Sequence, residues 1–127
     1  MKLLLDTHAF LWSITNGKLS KTAQEAFLDP ENELYLSAAS YWEICIKNSL
    51  GKLLLAKDWQ ASVDQEMEIN HIKWLSIAKT HCQEVIQLPW LHRDPFDRLL
   101  IAQARYEAMT VLTADPNIHQ YAIPTLW

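Results

Sequence analysis

Acidic residues recur in one setting along this chain. Asp6 follows the apolar run Leu3-Leu4-Leu5 at once, and Asp115 follows Thr110–Thr113. Asp94 and Asp97 open the segment DPFDRLLIAQA, and Glu43 lies in the first turns of a helix-like segment after a second strand-like run. A short, fully apolar run suits a strand buried on both faces of a parallel sheet. Parallel strands all end on one side, where open α/β sheets bind their ligands. Acids placed just after such strands should converge there. Four carboxylates about 5 Å apart, at an effective dielectric near 20, would repel by roughly 3 kcal/mol per pair. Such a cluster needs raised pKa values or a bound cation. No His/Cys set offers a zinc site, so an all-oxygen site points to a hard divalent cation. Mg²⁺ or Mn²⁺ held by carboxylates activates water and neutralises phosphate oxygens, which makes phosphodiester hydrolysis the first hypothesis. No Ser/His/Asp or Cys/His nucleophile pattern competes with it.

Each acid also has a purely structural explanation. Asp94-Pro95 and Asp115-Pro116 are good helix starts by themselves. Asp97 stands three residues after Asp94 and could serve as its capping partner. Ser40 and Glu43 match the S-x-x-E capping box. Helix N-termini favour negative charge by roughly 0.3–1 kcal/mol each. The cluster argument outweighs these gains only if the acids meet.

The elements that must bring them together alternate between strand and helix. Thr7 to Trp12 reads as a helix start, and Asn16-Gly17 as a turn. Ser20 caps a predicted helix over Lys21–Leu28, with Ala23, Ala26 and Phe27 on one face, and Asp29-Pro30 stops it. Glu33–Ser37 is the second strand, and Ala38–Leu50 a helix ended by Gly51. Asp58 opens another helix, Ile72–Ile77 is a short strand, and Ala78–Val85 a short helix. Leu88–Arg93 is a loop. Phe96, Leu99, Leu100 and Ala104 form the inner face of the helix that follows. Thr110–Thr113 is a strand, and Tyr121–Leu126 a final edge strand. This alternation predicts a parallel sheet with right-handed crossovers.

Composition narrows the field. At 127 residues the chain is long enough for one domain with a real core. A net charge of −4 argues against nucleic-acid binding by bulk positive charge, though not against a local basic patch. Cys45 and Cys82 form neither a metal spacing nor a disulfide framework, and each reads as a buried free thiol. The N-terminal apolar run is broken by Asp6, so it is neither a signal peptide nor a membrane span, and a cytoplasmic protein is expected. With only two glycines, no Gly-rich phosphate loop is available.

MKLLLDTHAFLW, SAASYWEICIK, HRDPFDRLLIAQA and TVLTADPNI, in that order and spanning nearly the whole chain, resemble the four acidic motifs of the PIN-domain family. The nearest branch is the small VapC-like toxins of bacterial toxin–antitoxin pairs. The resemblance implies a single three-layer α/β/α domain over residues 1–127 with a central, mainly parallel sheet. It also implies a Mg²⁺- or Mn²⁺-dependent endoribonuclease. The family's acids fall on Asp6, Glu43, Asp97 and Asp115, with Asp97 preferred over Asp94 by the position of Ala104. Asp6 and Asp97 would bind metal directly, and Glu43 and Asp115 would complete the site, directly or through water. Asp94 stays open as a helix cap, a ligand through water, or a partner of Asp97. The family's small polar residues fall on Thr7 and Thr113, where either could orient a carboxylate or a metal-bound water. The resemblance further implies an RNA substrate, a homodimer, and a cognate antitoxin that covers the active site. An antitoxin side chain of positive charge among the acids would be a reasonable inhibitor.

His8 and His92 adjoin the motifs but read as packing or hydrogen-bonding residues, since metal–carboxylate chemistry does not require them. Trp12 and Trp42 read as core, and Trp90 as the better substrate contact. Lys47, Lys52, Arg93, Arg98 and Arg105 are expected either as a basic rim for phosphates or as a solvated face. Arg93 and Arg98 join Thr7 and Thr113 as candidate substrate contacts. Lys47 lies one turn after Glu43 and could pair with it. The helix from Asp58 to Asn70 could present an apolar surface. The alternatives are a catalytically silent PIN-like RNA- or protein-binding module, and a phosphatase or receiver domain. Against the latter, Asp6 has no second acid beside it in DTHAF.

Overall fold

A computed structural model describes residues 1–127. The elements are β1 (Lys2–Leu5), α1 (Thr7–Ile14), α2 (Lys21–Leu28), β2 (Glu33–Ser37), α3 (Ala38–Ser49), α4 (Trp59–Ile69) and β3 (Lys73–Leu75). They continue with α5 (Lys79–Glu84), a 3₁₀ turn (Val85–Gln87), α6 (Pro95–Glu107), β4 (Thr110–Leu112), α7 (Pro116–His119) and β5 (Thr125–Leu126). The five strands form one sheet in the order β3-β2-β1-β4-β5, with every pairing parallel.

β1 takes the centre because all three of its leucines can be buried. Leu3 and Leu5 point into one core layer with Phe10, Phe27, Leu36, Ile44 and Val63. Leu4 points into the other, with Leu100, Ile101, Ala104, Val111 and Ile118. Alternate strand residues face opposite sides of a sheet, so a continuous apolar run needs helices on both faces. Full burial of a leucine contributes roughly 1.5–3 kcal/mol. The result is three layers, with α1, α2, α3 and α4 supplying one core and α6 and α7 the other.

The strand order runs outward in both directions from β1. The gap between the ends of β1 and β4 is therefore the switch point at which α/β sheets place their ligands. Leu5 is in register with Leu36 on one side and Leu112 on the other. The chain leaves β1 at Asp6 and β4 at Thr113, and Asp6 N–H still donates to Leu112 O at 3.2 Å.

Several local expectations differ from the fold. The cap of α3 is Ser37, whose Oγ accepts from Ala39 N–H at 3.0 Å. Ser40 and Glu43 therefore make no capping box, and Ser40 Oγ is a buried hydroxyl without a partner. β5 is two residues long, because Pro124 has no N–H to donate and Tyr121 turns into the core. β3 is shorter than Ile72–Ile77, and Ile72 packs in the core ahead of it. Cys82 is exposed, while Cys45 is half-buried. Trp42 is 58% exposed rather than core, lying edge-on to Phe96 with ring centres 5.3 Å apart. Trp59 and Val63 are buried, so α4 spends its apolar face inside the molecule. No helix is long and apolar enough to cross a membrane.

Candidate metal centre

Asp6 is 5% exposed and caps α1. Its Oδ1 accepts from Ala9 N–H at 2.7 Å, and its Oδ2 accepts from the Thr113 hydroxyl. Thr113, fully buried, also accepts from Asp115 N–H at 3.0 Å. One hydroxyl thus ties the end of β1 to the loop after β4. Burial pushes the Asp6 carboxyl above its ordinary pKa and the nearby Asp115 adds to the rise, against lowering by Thr113, Ala9 and His8.

Asp115 caps α7 by accepting from Asn117 N–H at 2.9 Å. With Asp6, His8, Trp12, Ala114 and Pro116 it lines an open cleft of about 270 Å³. A larger hollow, about 390 Å³, lies by the starts of β2 and β3. It is away from this chemistry, and its Glu33 is paired with Lys73 at 2.8 Å.

Asp97, in the first turn of α6, has its carboxyl pushed up to about 6. Burial is the chief cause; the neighbouring carboxylates Asp94 and Asp115 raise it further, and His92 works against them. Asp94 spends Oδ1 on the N–H groups of Phe96 and Asp97, at 2.9 and 3.0 Å. The capping explanation thus holds for Asp94. Asp97, by contrast, is capped rather than capping.

Glu43 is also 5% exposed. It accepts from Thr7 Oγ1 at 2.6 Å on one oxygen and pairs with Lys47 Nζ at 2.7 Å on the other. The Lys47 pKa is raised first by the Glu43 hydrogen bond, and Asp94 and Asp97 are close enough to add to it. The acids of the sequence therefore share one end of the sheet. Thr7 beside Asp6 holds Glu43, Thr113 joins Asp6 to Asp115, and Asp97 lies within electrostatic reach of Asp94 and Asp115.

No three of these carboxyl groups, as they stand, surround one point at ligand distance. The donor set nonetheless fits a hard divalent cation. It is all oxygen, and two of its acids are held above their normal pKa by burial and neighbouring charge.

The basic residues divide. Arg93 and Lys52 are exposed, Arg93 just ahead of α6. Arg105 pairs with Glu84 at 3.0 Å near the far end of α6. Arg98, expected at the rim, is instead 3% exposed, and its Nη1 donates to Pro89 O at 2.8 Å. A guanidinium can be buried when backbone carbonyls accept its protons, and nothing in the local sequence distinguishes that case. Trp90 is 79% exposed, but one ring face lies 4.0 Å from the Arg98 guanidinium. His92, read as a hydrogen-bonding residue, contacts both Asp97 and Tyr121. Sequence reasoning missed Tyr121, which looked like part of an edge strand.

The PIN-domain sequence model matches residues 3–124. Ribonuclease VapC22 of Mycobacterium tuberculosis is 28% identical over 130 residues, covering 98% of each chain. Among solved structures, VapBC2 of Rickettsia felis, bound to a DNA fragment from its promoter, superposes with a TM-score of 0.76. That match is at 15% identity and covers 98% of this chain and 97% of that one. VapBC-1 of nontypeable Haemophilus influenzae gives 0.68 at 17% identity, covering 98% and 96%. At such identities the structural likeness concerns the fold.

Proposed function

Because the chain belongs to the PIN-domain family, we propose that it is a divalent-metal-dependent endoribonuclease and the toxin member of a bacterial toxin–antitoxin pair. The observation that carries this reading is that Asp6, Asp115, Asp97 and Glu43 all stand at one end of the sheet, with Asp6 and Asp97 held above their normal pKa. The similarity to a protein named as a ribonuclease supports RNA as the substrate. The likeness to VapBC complexes supports a cognate antitoxin as partner. The reading takes residues 1–127 as one nuclease domain that works as a homodimer.

Asp6 and Asp97 are the residues that would hold Mg²⁺ or Mn²⁺, with Glu43 and Asp115 completing the site and Asp94 contributing charge beside them. A cation bound there supplies an activated water and neutralises phosphate charge. Thr113 fixes the Asp6 carboxylate and Thr7 fixes that of Glu43, so neither acid is free to swing away. Lys47 offsets part of the negative charge, and Arg93 offers a positive group to the RNA backbone at the rim.

The test is metal-dependent cleavage of RNA by purified Asp6→Asn, which is expected to lose activity while keeping its circular dichroism spectrum. Cleavage at the parent rate would remove Asp6 from the site. A second reading, a PIN-like binding module with a silent site, is favoured by one feature. The oxygens of Glu43 are committed to Thr7 and Lys47, and Oδ1 of Asp94 to two backbone N–H groups. Calorimetric titration with Mn²⁺ separates the two, since the module binds none at millimolar metal.

A further inference from the structure

Behind Asp97 runs a line of side chains that the acid cluster does not explain. His92 Nε2 lies 3.1 Å from Asp97 Oδ2, and His92 Nδ1 lies 2.8 Å from the Tyr121 hydroxyl. The same hydroxyl accepts from Arg98 Nη1 at 3.0 Å. Arg98 also donates to Pro89 O at 2.8 Å and Leu88 O at 3.5 Å, and Trp90 covers its guanidinium. All these groups come from the loop before α6, from α6 itself, and from the segment after α7. Tyr121 is 4% exposed and Arg98 3%.

The chemistry of the groups gives the line a direction. A guanidinium keeps its charge and only donates. The Tyr121 oxygen is therefore an acceptor toward Arg98. Tyr121 is buried, and His92 Nδ1 is the one other hydrogen-bond neighbour of its hydroxyl, so the single O–H proton goes there rather than being left without an acceptor. A ring nitrogen that accepts carries no proton, which leaves the ring N–H on Nε2. That N–H faces Asp97.

We infer that Arg98 and Tyr121 lock His92 in the Nε2–H tautomer, making His92 a positioning residue that holds Oδ2 of Asp97 and leaves Oδ1 uncommitted. The inference rests on the reading of Asp97 as a metal ligand. Partners of this kind orient the ligand they touch, and their loss typically weakens metal binding 10- to 100-fold.

The test reads the tautomer and the metal separately. Long-range ¹H–¹⁵N spectra of the unmodified chain at pH 8, without metal, are expected to show His92 protonated on Nε2 alone. Tyr121→Phe keeps the ring and removes the hydroxyl. It is expected to mix the two tautomers and to raise the Mn²⁺ dissociation constant tenfold or more, with an unchanged circular dichroism spectrum. An Nδ1–H or doubly protonated His92 in the unmodified chain overturns the inference, whether or not the variant folds. Mn²⁺ binding that Tyr121→Phe does not weaken overturns the positioning role alone. An unmodified chain that binds no Mn²⁺ at millimolar concentration overturns the metal reading, and the positioning role with it.

Discussion

Asp97→Asn should make the metal-free protein more stable at the expense of its site. The carboxyl of Asp97 is raised from 3.8 to about 6, first by burial and then by the charges of Asp94 and Asp115. At 1.36 kcal/mol per pKa unit, and less once solvent screening of this partly buried group is allowed for, ionising it in the folded state costs at most about 3 kcal/mol more than in the unfolded chain. The folded-state pKa is the higher one. The protonated acid is therefore fully compatible with folding below pH 3.8, and stability is lost as pH rises through about 6. An amide carries no charge to repel. Its bond with His92 is weaker than that of a carboxylate, by about 1 kcal/mol. The net expectation is a gain of roughly 1–2 kcal/mol at pH 8, most of it gone at pH 4. Urea denaturation in chelator at the two pH values measures it. Added Mn²⁺ should stabilise the parent by mass action and leave the variant nearly unmoved. A variant no more stable than the parent at pH 8, or one with the same gain at pH 4, would refute the claim that burial and neighbouring charge raise this carboxyl.

Other perturbations address the supports of the site. Thr113→Val removes the hydroxyl that donates to Asp6 and accepts from Asp115 N–H. It should cost about 1–3 kcal/mol by thermal or urea melts and weaken Mn²⁺ binding at least tenfold. Gly17→Ala would bring its new methyl to 2.6 Å from the Trp12 ring. Trp12 walls the cleft beside Asp6, so a loss of roughly 1–3 kcal/mol in stability should come with a changed Trp fluorescence spectrum.

Much of the fold was legible because its signals are local. α2 and β2 lie where Ser20, Asp29-Pro30 and the alternating ELYLS run place them. The parallel sheet followed from a leucine run too apolar to have a wet face. Expectations failed where distant packing decides. The S-x-x-E pattern suggested a box at Ser40, but Ser37 caps the helix one turn earlier and Glu43 is drawn to Thr7 and Lys47. Trp42 follows a helical apolar pattern yet stays at the surface beside Phe96.

By itself the sequence determined the types and order of the acids, and the strand ends after which Asp6 and Asp115 stand. Chain chemistry carries that information, since an apolar run followed by an acid marks the exit from a buried parallel strand. The tertiary structure alone decided how the acids are used. Asp94 became a cap and Asp97 a carboxyl with a pKa of about 6. Arg98 left the surface to hold Tyr121, and His92 was turned between Tyr121 and Asp97. The reason is reach. Burial, desolvation and hydrogen-bond direction depend on neighbours that only folding supplies, and Thr113 meets Asp6 from 107 residues away in the chain.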